Sequence, residues 1–156
     1  MRYLAISMAT FLFAGVGLVF AADDTKDEAV RKDLKNLTGT WKVASRESNG
    51  EKTPADALKG MFVKVASEGT VTVTKEGKEI RKVKWVNVDP TQKTKTVDVE
   101  VLEGDDKGKT LLAIYRIEGD QFTLCVANSG KDRPTSFSAE IASGNSLMTY
   151  TRTKDE

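Results

Sequence analysis

From Gly39 onward, apolar residues alternate with polar ones in short runs, and each run stops at a turn. Val97, Val99 and Val101 fall on one side of such a run. Thr96, Asp98 and Glu100 fall on the other, the pattern of a strand with one buried face. Trp41, Val43 and Ser45 alternate in the same way with Thr40, Lys42 and Arg46. Runs at 61–66 and 70–75 flank a turn at Ser67-Glu68-Gly69, and Glu76-Gly77 makes the next turn. The run at 79–88 predicts a bulge, because Ile80 and the pair Val83 and Trp85 are in opposite phases. Further strands are predicted at 94–102, 110–118, 121–127, 135–139 and 146–153, with Gly119-Asp120 as a tight hairpin turn.

About eight short strands joined mostly by hairpin-length turns imply an all-β antiparallel domain, either a sandwich or an up-and-down barrel. The barrel has the advantage of leaving no strand edge open. Cys125 is the only cysteine, so no intramolecular disulfide can hold the domain and its hydrophobic core must do so. No tandem repeat or second domain is visible.

The N-terminus reads differently. Arg2 precedes a stretch from Leu4 to Phe20 without a charged residue, and Ala21-Ala22 leads into Asp23-Asp24. This is the layout of a signal peptide cleaved after Ala21, and the apolar run is shorter than the ~20 residues of a spanning helix. The expected organisation is signal peptide 1–21, helix or linker 22–36 and barrel domain 37–156, with a periplasmic or extracellular destination. Contact with the membrane is expected only during export. Thr25 and Glu28 have capping-box spacing, and Val30, Leu34 and Leu37 form one apolar stripe, so a short helix is expected at 23–36. That helix could serve as a lid or plug, or fray as a linker. Thr53-Pro54 predicts a second, shorter helix that ends at Gly60.

Gly39-Thr40-Trp41 at the start of the first strand resembles the Gly-x-Trp signature of lipocalins and related calycin barrels. The resemblance implies that Trp41 closes one end of the barrel and that Arg152, near the end of the last strand, packs over its ring. A wider resemblance runs from about Leu37 to Arg152, to a family of small secreted domains of unknown function found mainly in planctomycete bacteria. It rests on Leu37-x-Gly39-Thr40-Trp41-x-Val43, Asn49-Gly50, Leu58-Lys59-Gly60, Asp89-Pro90-Thr91 and Lys107-Gly108-Lys109-Thr110. It continues through Ile114-Tyr115, Gly119-Asp120, Leu124-Cys125 and Arg133-Pro134-Thr135-x-Phe137. The family implies a lipocalin-like fold and carries no catalytic residues to transfer. Lipocalins with well-defined ligands often have disulfides, and this chain departs from them there.

The absence of histidine removes the commonest general base and the commonest transition-metal ligand, and with them His-dependent hydrolases and His-built zinc sites. Gly104-Asp105-Asp106-Lys107-Gly108-Lys109-Thr110 superficially resembles a phosphate-binding loop, but it has three residues between its glycines and lies between two strands. A charged hairpin loop, with Gly108 at positive φ, fits it better. Glu103, Asp105 and Asp106 lack calcium-loop spacing. No acid/base pair stands out, so no enzymatic activity, no cofactor and no metal is expected. The 24 basic and 23 acidic residues are interspersed, and loss of Arg2 with the signal peptide leaves them balanced. The basic run Lys78, Arg81, Lys82, Lys84, Lys93 and Lys95 reads as a solvated sheet face, so no nucleic-acid partner is expected. Cys125 is expected to be buried and inert.

Two functions remain. A hollow monomeric barrel would bind a small apolar or amphipathic ligand, with Trp41, Trp85, Tyr115 and Phe122 as candidate lining residues. A filled barrel would act as a cell-envelope interaction module, with an envelope protein as partner. Lys107, Lys109, Arg133 and Phe137 are then the candidate contact residues. Periodicity alone does not decide between a hollow and a filled interior.

Overall fold

The computed structural model describes residues 21–154, so the expected signal peptide lies almost entirely outside the described residues. Helix α1 (Ala21–Leu37) leads into β1 (Gly39–Ser48), β2 (Glu51–Lys52), the single-turn α2 (Ala55–Leu58), β3 (Met61–Val65) and β4 (Thr70–Lys75). Then follow β5 (Lys78–Asp89), β6 (Lys95–Val101), β7 (Thr110–Glu118), β8 (Gln121–Ala127) and β9 (Asn145–Arg152). β1 pairs with β3, each strand from β3 to β9 pairs antiparallel with the next, and β9 pairs back onto β1. The result is a closed eight-strand barrel, with β2 folded onto the end of β1 outside the ring. All edges but that of β2 are used up, which removes the usual hazard of an exposed ladder.

Closure also explains one correction. Residues 135–139 are not a strand. β8 and β9 pair directly, with Ala127 opposite Asn145, so no edge is left for another strand to join. The β8–β9 connection, residues 128–144, instead runs as a strap over the outer wall. Phe137 and Ala139 on the strap are packed, whereas Ile141 is exposed. Phe137 lies under the Arg116 guanidinium at 4.8 Å, and Ala139 is buried. The strap reaches the β1–β2 turn, where Gly50 donates to the Ala139 carbonyl at 2.5 Å. Beneath it Ile114 and Cys125 are buried on the outer face of the wall, apart from the main core.

The predicted bulge in β5 is present. Val73 pairs with Arg81 and Thr74 with Glu79, so Ile80 is the extra residue. A second irregularity, in β1, is not visible in the sequence pattern. Val43 pairs with Tyr150 and Ser45 with Thr149, which leaves Ala44 unmatched. A one-residue slip reverses which face later side chains occupy. Arg46 therefore pairs with Met148 on the inner face, rather than continuing the outward phase of Thr40 and Lys42.

A candidate ligand cavity

Strand direction gives the barrel two unlike ends. The end at Gly39, Asp89, Lys95, Glu118 and Arg152 is shut, and α1 packs against it. Leu37 and Trp41 are fully buried there, and the Trp41 indole nitrogen donates to the Leu37 carbonyl at 2.7 Å. Arg152 stacks on the Trp41 ring, 4.1 Å from its centroid, and donates to the carbonyls of Asn36 and Thr38. One guanidinium thus covers the indole and satisfies the orphan carbonyls at the C-terminus of α1. Gly39 has φ +126°, and a Cβ there would sit 3.2 Å from Arg152 Nη1. Glycine is needed at this point both for its backbone freedom and for the space.

A buried polar latch holds the helix in place. Asp33, only 6% exposed, accepts from Tyr115 Oη at 2.8 Å and from Lys95 Nζ at 2.7 Å. Burial, then the Asp33 carboxylate, push the Tyr115 phenol well above the usual tyrosine range. Near the other end of α1, Lys26 pairs with Asp89 at 3.2 Å. Asp89 also accepts from Thr91 and Gln92, and these bonds hold its carboxyl far below the usual carboxylate range.

Above this closed end an aromatic layer spans the barrel. Trp85 lies 5.3 Å from Tyr115 and 5.5 Å from Phe122, and Phe122 stacks on Tyr150 at 4.8 Å. Beyond the layer the inward residues are mainly valines, with Leu111, Leu124, Met61 and Met148 among them, and space opens. A cavity of about 430 Å³ runs from the aromatic floor to the other end of the barrel. Val63, Val73, Val83, Val99, Leu124 and Val126 are among its walls. This volume is within the range of small-molecule pockets, as is the mix of an apolar wall with a few polar groups.

Charge is confined to the mouth. Arg46, Arg81 and Asp106 are the charged residues lining the cavity. Asp106, on the β6–β7 loop, is bound by Lys109 Nζ at 2.6 Å, and this bond lowers its pKa. Tyr150 is buried on the wall, its hydroxyl 3.2 Å from Met148 Sδ. Burial raises its pKa strongly, while Arg46 and Arg81 pull the other way.

Of the aromatic residues singled out from the sequence, Trp85 and Phe122 line the cavity, whereas Trp41 and Tyr115 are packed beneath it in the closed end. Gly39, Trp41 and Arg152 come together as one constellation. The four loop residues do not. Lys107 is exposed and Lys109 is tied to Asp106 beside the mouth. Arg133 grips the outer wall, donating to the carbonyls of Val97 and Ala113 at 2.9 and 2.7 Å and to Asp98 at 2.5 Å. Phe137 is half-buried under Arg116. Cys125 is fully buried, with its thiol 3.4 Å from the Ser138 carbonyl, and burial pushes its pKa up. Sequence reasoning missed Arg46 and Arg81 at the mouth. For Arg81 a signal existed, since it shares the phase of Val83 and Trp85.

Comparison of the chain with protein-family models, with curated proteins and with solved structures found no match.

Proposed function

We propose that this protein is an exported, non-enzymatic, lipocalin-like binding module for a small apolar or amphipathic molecule. The observation that carries the reading is the 430 Å³ cavity, lined mainly by apolar residues inside the barrel. A barrel of eight strands is just wide enough to be filled by its side chains. Here the inner residues of the open half are mainly valines, which leave the space unfilled. The alternative, an envelope interaction module working through its loops, draws less support. Arg133 and Phe137 are engaged with the barrel's own wall, and Lys109 with Asp106.

Native mass spectrometry of the protein purified from its own host tests the proposal. A discrete small-molecule adduct, lost on mild denaturation, is the expected result. An unliganded mass, together with a crystal structure whose barrel is packed with side chains, would contradict it.

A further inference from the structure

We infer that the ligand is an anionic amphiphile, its chain in the cavity and its oxyanion head group held at the mouth by Arg46 and Arg81. The inference rests on the ligand-cavity reading and adds the charge and orientation of the ligand. Both arginines reach the mouth by strand phase. Arg81 pairs with the cavity-lining Val73 and is in step with Val83 and Trp85. Arg46 is turned inward by the unmatched Ala44 and faces Met148 across the β1–β9 ladder. Bulges commonly re-aim side chains beside functional sites.

Neither guanidinium, both of them exposed, has a hydrogen-bond or ion-pair partner among the described residues; Arg31 on α1 shares this, whereas Arg116, Arg133 and Arg152 are paired. On a solvated outer face, an unpaired arginine would be unremarked. At the rim of an apolar cavity, two of them with a single carboxylate, Asp106, leave an excess of positive charge. That carboxylate is already bound by Lys109. Both arginines lie close enough to the buried Tyr150 to oppose the rise in its pKa, and Arg81 also acts on Asp106. A guanidinium fork matches the geometry of a carboxylate or phosphate, so an oxyanion on an alkyl chain fits both halves of the site. A cationic head group is repelled, and a neutral one gains from the walls alone.

Calorimetric titration with four ligands of one chain length tests this: decanoate, decyl phosphate, decanol and decyltrimethylammonium. Both oxyanions are expected to bind roughly tenfold or more tighter than decanol, as a charge-assisted hydrogen bond supplies, and the cation to bind weakest. Arg46→Gln and Arg81→Gln should each lower the ratio of decanoate to decanol affinity roughly tenfold. Arg81→Lys, which keeps the charge but loses the fork, should lower that ratio less than Arg81→Gln does. Decanol binding as tightly as the oxyanions, or an unchanged ratio in the Gln variants, overturns the head-group inference and leaves the cavity reading standing. Failure of all four ligands to bind removes both.

Discussion

The Arg152 guanidinium lies 4.1 Å from the centroid of the Trp41 ring and donates to two carbonyls at the end of α1. A single side chain therefore joins the last strand, the first strand and the helix. Arg152→Ala removes the cation–π contact and leaves helix carbonyls without a donor. A loss of about 2–4 kcal/mol in unfolding free energy is expected by chemical denaturation. Gly39→Ala, which forces a Cβ against the same guanidinium at φ +126°, should cost about 1–3 kcal/mol.

The latch at Asp33 is open to a separate test. Asp33→Ala leaves the buried Tyr115 hydroxyl without its acceptor, with an expected cost of about 1–3 kcal/mol. Because the latch ties α1 to the barrel, hydrogen exchange should quicken in α1 more than in β7. Equal exchange in both would show that Asp33 does not hold α1 to the barrel.

Stability at high pH follows from the two buried tyrosines. Tyr115 and Tyr150 both have phenols raised above their ordinary value of 10.0 in the folded protein. The unfolded chain therefore loses these protons first as pH rises. Stability should be intact below about pH 10 and then fall by up to ~1.4 kcal/mol per pH unit for each tyrosine. Tyrosinate absorbance from these residues should appear together with unfolding. Its appearance in the folded protein near pH 10 would contradict the burial described.

Cys125 should not react with a thiol reagent in the native protein at neutral pH, and should react at once in denaturant. Arg133→Ala, which frees the strap above it, should restore slow native-state labelling.

Much of the barrel was legible because strand alternation is a local property. Val97, Val99 and Val101 declare their inner face within one run, and Gly39, Trp41 and Arg152 carry the closed end. The features that escaped depend on partners distant in the chain. Asp33 looks like any helix-surface carboxylate until Tyr115 and Lys95 are brought to it. Alternating Phe137 and Ala139 imitate a strand, yet they pack on a wall whose edges are already closed. Arg46 appeared outward because the slip at Ala44 is set by the β9 register and not by any local residue. The cavity itself is a matter of volume: the aromatic residues that draw the eye form its floor and the packing below, while small valines make its open half.

Val126→Trp tests the hollow barrel most directly, through its unfolding free energy measured with and without decanol. Val126 lines the cavity, so an indole there should enter empty space. Stability within about 0.5 kcal/mol of the parent protein is expected, together with loss of the stabilisation that decanol gives the parent. A destabilisation of about 1–3 kcal/mol, the usual result of overpacking a filled core, with the decanol response unchanged, would contradict the hollow barrel.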